Sequence, residues 1–182
     1  MNVKKIVYSG VFIALGVMVP QIFHLIGGPA LGGVFLPMHF PVLIAGLLCG
    51  PFIGAVTGIF SPLLSSAITG MPPVPRLWFM IVELFVYGII SGLFYYKMKK
   101  NMIFSLILAM IAGRMIYGFV FIIVINLFGV DLPFELGLSA SLVKGLPGII
   151  LQLVLIPILI RVLERSSFKN ERIDNRKGNP KI

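Results

Sequence analysis

The chain is poor in charge and poorer still in acids. Six Asp and Glu stand against fifteen Lys and Arg, and only 12% of its 182 residues are charged. A soluble domain carries about 25% charged residues, so there is too little charge here to cover a water-facing globule. Cys49 is the only cysteine, which excludes an intrachain disulfide. There is no G-x-x-x-x-G-K-[ST] phosphate loop, no H-E-x-x-H and no G-x-S-x-G. Hydrolysis of ATP by this chain is therefore not expected, nor is metalloprotease or serine-hydrolase chemistry. The two histidines have no cysteine or carboxylate neighbours in sequence, which is a weak metal signal. No residue set calls for a cofactor or metal.

What the chain has in abundance is apolar length. Hydrophobic residues make up 58% of it, with a mean hydropathy of +1.05. Lipid, in which an apolar exterior costs nothing, is the natural solvent. A bilayer core needs roughly 20 apolar residues per helix. Candidate spans run over 6–26, 52–68, 78–96, 102–127 and 138–160, with Pro62 inside the one over 52–68. The run from Pro41 to Leu48 is too short to cross unless it begins near Gly33. The expected fold is an all-α integral membrane protein, a compact bundle of six transmembrane helices. The first run follows Lys4 and Lys5 and superficially suggests a signal peptide. No cleavage site convinces and more spans follow, so it is read as a retained helix.

The net charge of +9 would suggest nucleic acid in a soluble protein. Here the cations sit in short loops and a tail. If the helices alternate, twelve of the fifteen fall on one side: Lys4 and Lys5, then Lys97, Lys99 and Lys100, then seven from Arg161 onward. The opposite loops hold Arg76, Asp131 and Glu135. The positive-inside rule puts both termini in the cytoplasm. Residues 1–165 form the transmembrane domain, and 166–182 read as a basic, mostly disordered cytoplasmic tail. The tail could also bind anionic lipid headgroups.

Three ionisable residues fall inside predicted helices: Glu83, Arg114 and Lys144. Each is expensive to bury in lipid and needs a reason. With a helical rise of about 1.5 Å per residue, Glu83 lies about 21 Å above Lys97 and Arg114 about 18 Å above Met102. The two share a level on consecutive helices. They serve either a ligand pocket in the outer half of the bundle or a bridge that fixes packing. Lys144 lies higher, and either joins the pocket or snorkels to the interface. Gln152 sits deeper on the same helix. Two cations against one anion favour a ligand carrying a carboxylate. The expected site comprises Met38, His39, Pro72, Arg76, Glu83, Arg114, Tyr117, Lys144 and Gln152, closed by the loops around Met38–His39 and Pro72–Arg76. His39 is expected as a loop contact, and His24 and Trp78 as interfacial anchors. Small residues recur at four-residue spacing at Gly10 and Ala14, along Gly46, Gly50, Gly54 and Gly58, and at Gly88 and Gly92. This spacing lets helices approach closely. Gly10 and Ala14 could instead face a partner protein.

Several segments together resemble the substrate-binding S component of an energy-coupling factor (ECF) vitamin transporter, over about residues 4–163. These are Gly10-x-x-x-Ala14, with Gly where the family often has Ala; the stretch from Leu36-Pro37-Met38-His39 to Cys49-Gly50-Pro51; Ser61-Pro62-Leu63-Leu64 through Gly70-Met71-Pro72-Pro73; Ala112-Gly113-Arg114; and Pro147-Gly148-Ile149-Ile150-Leu151-Gln152. The resemblance implies a multi-pass protein of a bacterial or archaeal cell membrane that captures a vitamin. A separate transmembrane coupling subunit, docking at Gly10 and Ala14, and two ATPase subunits would supply the energy. The loops between helices one and two and between three and four would act as gates. Surplus positive charge makes pantothenate the first choice of ligand, with nicotinate, biotin, folate and lipoate open. The competing reading is a non-transport helical membrane protein such as an assembly factor or small channel. A channel should show polar faces repeated along a pore.

Overall fold

A computed structural model describes the backbone of residues 3–128 and 137–176, and the side chains among them except at 4, 5, 29, 138 and 163–176. Six helices follow in order: α1 (Val3–Phe35), α2 (His39–Cys49), α3 (Pro51–Thr69), α4 (Arg76–Ser91), α5 (Met102–Phe128) and α6 (Leu138–Arg176). A π-helical segment, Gly92–Lys97, continues α4. No strand occurs among the described residues. Six stretches are long and apolar enough to cross a membrane. Asp131 and Glu135 lie outside the described residues, as does the chain beyond Arg176.

The helix boundaries follow glycine and proline. Inside α1, Gly27 and Gly28 leave helical geometry, with Gly28 at φ 68°. Pro29 follows and suits the first turn of a new helical stretch. The first span therefore ends at Gly28 and the second runs from Ala30 to Cys49. This supplies the length that Pro41–Leu48 lacks. The second span is itself broken. Leu36 adopts φ 51°, a left-handed conformation that costs a non-glycine residue about 1–2 kcal/mol. Its carbonyl accepts the His39 amide at 3.0 Å and the Gln152 side-chain amide at 3.4 Å. Gly50, at φ 95°, makes the turn into α3, and Gly70, at φ 72°, ends α3. α6 continues as helix to Arg176. No glycine or proline interrupts the chain between Pro157 and Gly178, so nothing in that stretch breaks the helix.

Glycines also decide which helices touch. A Cβ on Gly54 or Gly58 would meet the backbone of α4 at Gly88 or Leu84, and one on Gly46 would meet Gly88 and Ser91. The series Gly46, Gly54, Gly58, Gly88 and Gly92 thus packs α2, α3 and α4 against one another, backbone to backbone. Gly16 receives Ser61 of α3. The core below the cavity is built on Val42, Leu43, Leu84, Tyr87, Leu106 and Ile156. Outward faces are apolar, as lipid contact requires. On α1, Val7, Val11, Met18 and Ile22 are exposed while Ser9, Gly16 and Pro20 are buried.

Candidate functional site

At one end of the bundle a cavity of about 190 Å³ opens between the six helices and the 70–75 turn. Its wall contains seven of the nine residues expected from the sequence: Met38, His39, Pro72, Arg76, Glu83, Arg114 and Tyr117. The other two lie outside it. Gln152 is fully buried and acts through the Leu36 carbonyl, so it supports the α1–α2 break. Lys144 is exposed and does not line the wall.

The turn that closes one side is fastened by hydroxyls. Ser65 donates to the Met71 carbonyl at 2.7 Å and Ser66 to that of Pro72 at 2.9 Å. The Met71 amide donates to Thr69 Oγ1 at 3.3 Å. A Ser-Ser pair one turn before a helix-ending glycine was the available sequence signal for this fastening, because such hydroxyls readily bond nearby backbone.

Deep in the cavity lies a cluster of charge. Arg114 Nε stands 3.2 Å from Glu83 Oε1, and His39 Nε2 stands 3.7 Å from the same oxygen. All three side chains are buried. His39 is therefore not a loop contact: it opens α2 and is shut between helices, with its ring edge-on to Tyr87 at 5.3 Å. Arg114 Nη1 donates to Ser141 at 3.0 Å, which ties α5 to α6. The Tyr87 ring occupies the space above Gly113, where a Cβ would collide with it. The guanidinium lies beside Gly145, whose added Cβ would stand 3.1 Å from Nη2. The residues flanking Arg114 in space are small because a bulky arginine and tyrosine must share the level.

The cluster leaves polar atoms unmet. Both His39 nitrogens, Arg114 Nη2 and the Tyr87 hydroxyl are buried without a hydrogen bond. A buried donor or acceptor left without a partner costs roughly 1–3 kcal/mol. Unmet groups beside a cavity are what a polar ligand would satisfy. Glu83 is the only carboxylate among the described residues that line the wall, against Arg76 and Arg114. His24, expected as an interfacial anchor, folds against Gly32 and lines the cavity as well. Trp78 is exposed at the first turn of α4. Met71, Met80 and Pro20 add apolar wall that the sequence reading did not include.

The family model for the substrate-specific component of ECF transporters matches residues 4–160. No curated protein and no solved structure matches the chain. The match covers nearly all of the transmembrane region and all three helices that form the charge cluster, α2, α4 and α5. It sets aside the assembly-factor and channel readings. The six apolar helices and the family match together make this a multi-pass cell-membrane protein of substrate uptake, and the chain belongs to the ECF transporter substrate-specific component family.

Proposed function

We propose that this chain binds a small anionic vitamin in the cavity, with pantothenate as first choice. The observation that carries this reading is the charge of the cavity wall: Arg76 and Arg114 face a single carboxylate, Glu83. A low-dielectric site with surplus positive charge favours a carboxylate ligand, since charge-assisted hydrogen bonds are about twice as strong as neutral ones. Nicotinate, biotin, folate and lipoate share that carboxylate and are the competitors. Pantothenate also carries hydroxyls and an amide, which suit the unmet atoms of His39 and Arg114 on the cavity wall.

Both termini face the cytoplasm in this reading, because the basic residues concentrate on their side, and the cavity then opens outward. A separate coupling subunit and two ATPase subunits energise uptake, and this chain hydrolyses nothing. The coupling subunit docks on α1 at Gly10 and Ala14. Both are exposed, and a Cβ on Gly10 would meet nothing within 4 Å.

The test is affinity purification in mild detergent, with mass spectrometry of retained metabolites and retained proteins. Pantothenate and three further subunits are expected. Retention of a cationic or neutral vitamin would overturn the ligand assignment.

A further inference from the structure

Arg76 and Lys144 come from different helices, α4 and α6, yet they converge on one glycine. A methyl group placed on Gly33 would stand 3.7 Å from Arg76 Nη2, 3.7 Å from Lys144 Nζ and 3.2 Å from Lys144 Cε. Gly33 is buried and forms part of the cavity wall, as does Arg76. Among the described residues neither cation has a carboxylate within ion-pair distance. Two like charges brought together repel each other. An arrangement that holds them over a residue with no side chain leaves a gap for an anion to bridge. The deeper arginine stands differently: Arg114 already has Glu83 at 3.2 Å and Ser141 at 3.0 Å.

We infer that Arg76 and Lys144 together grip the carboxylate of the substrate at the mouth of the cavity, over Gly33, while the Glu83–Arg114–His39 cluster receives its uncharged polar end. This rests on the reading of the cavity as an anionic-vitamin site and gives that ligand a direction. The acid group points toward the loops and the hydroxyl- or amide-bearing end points into the bundle. The depth of the cavity supports the orientation. A carboxylate placed deep would face Glu83, a like charge whose neutralising partner is already committed. A hydroxyl or amide there meets a donor in Arg114 Nη2 and both kinds of group in His39. The substrate class is thus a monocarboxylic acid whose far end is polar and uncharged. Lys144 then belongs to the site without lining its wall, because its ammonium reaches the mouth from the exposed side.

The experiment measures binding to the purified full chain by calorimetry, in neutral detergent, for acids paired with neutral analogues: pantothenate with pantothenol, nicotinate with nicotinamide, lipoate with lipoamide, biotin with biotin amide. Wild type should bind one acid about a hundredfold more tightly than its neutral partner, about tenfold per cation. Arg76→Gln with Lys144→Gln should bring that ratio close to one, and each single change should remove about half of it on a logarithmic scale. Arg76→Lys with Lys144→Arg should keep it. Thermal unfolding of each variant checks that the bundle is intact, and the single variants carry the test if the double one melts early. A ratio that survives the double change overturns the inference, as does its loss in Arg114→Gln with Glu83→Gln while that variant stays folded. Adding an anionic phospholipid forms a further arm: if it occupies the site and no acid preference exists without it, the cations serve a headgroup and the inference fails. The ligand assignment fails separately. If nicotinate replaces pantothenate but depends on both cations, pantothenate is wrong and the grip stands. If pantothenate binds and ignores both cations, only the grip is wrong. If no acid binds, both are overturned.

Discussion

At the scale of single residues the fold turns on Glu83 and Arg114. Each would be costly alone in a lipid-surrounded interior, and together they form a pair at 3.2 Å that links α4 to α5. Removing one partner strands the other. Arg114→Gln should therefore destabilise the bundle by about 3–5 kcal/mol, seen as earlier thermal unfolding in detergent. Glu83→Gln added to it should restore most of the loss, because the unpaired carboxylate is then gone. Ligand binding should return with the double change if the arginine is mainly a counter-ion. Binding that stays lost in a stable double variant would instead make Arg114 a direct ligand contact.

At the scale of elements the small residues divide into two populations that look alike in sequence. Gly54 and Gly88 sit where α3 and α4 touch backbone to backbone, so any side chain forces the helices apart. Gly88→Ala should cost about 1–3 kcal/mol by overpacking, whereas Gly10→Ala should leave thermal stability near that of wild type, since open space surrounds it. The larger change Gly10→Leu with Ala14→Leu should abolish uptake while the isolated chain still binds its vitamin. Normal transport by that variant would remove this face of α1 from the docking surface. The measurements are thermal unfolding for stability and vitamin accumulation in cells for uptake.

At the scale of the whole molecule the prediction is topology. With Cys49 replaced by serine, single cysteines are introduced at positions 99 and 131 and labelled from outside intact cells. Position 131 should label and position 99 should be protected, as the distribution of basic residues requires. The reverse pattern would turn the cavity toward the cytoplasm and remove the capture role proposed for it. The cell-membrane location itself does not depend on this result, since it follows from six apolar helices and the family match.

Composition and apolar run length by themselves determined the solvent, the number of spans and most of their boundaries. In lipid every backbone group must be satisfied within a helix, so run length translates almost directly into structure. The level shared by Glu83 and Arg114 was also legible, because helical rise is fixed and adjacent spans run antiparallel. The direction in which a side chain points was not. His39 lies between Pro37 and Pro41 and looks like loop, but the helix begins at that residue and turns its ring onto Glu83. Lys144 and Gln152 share one helix and both belong to the site expected from the sequence, yet one is exposed and the other fully buried. Eight residues of helix put them about 80° apart around the α6 axis, and which of the two faces inward is set by contacts distant in sequence, such as the seating of Gly148 against the Phe35 backbone. Which glycines face a helix and which face open space, and which cations converge on Gly33, were likewise settled only when the helices packed.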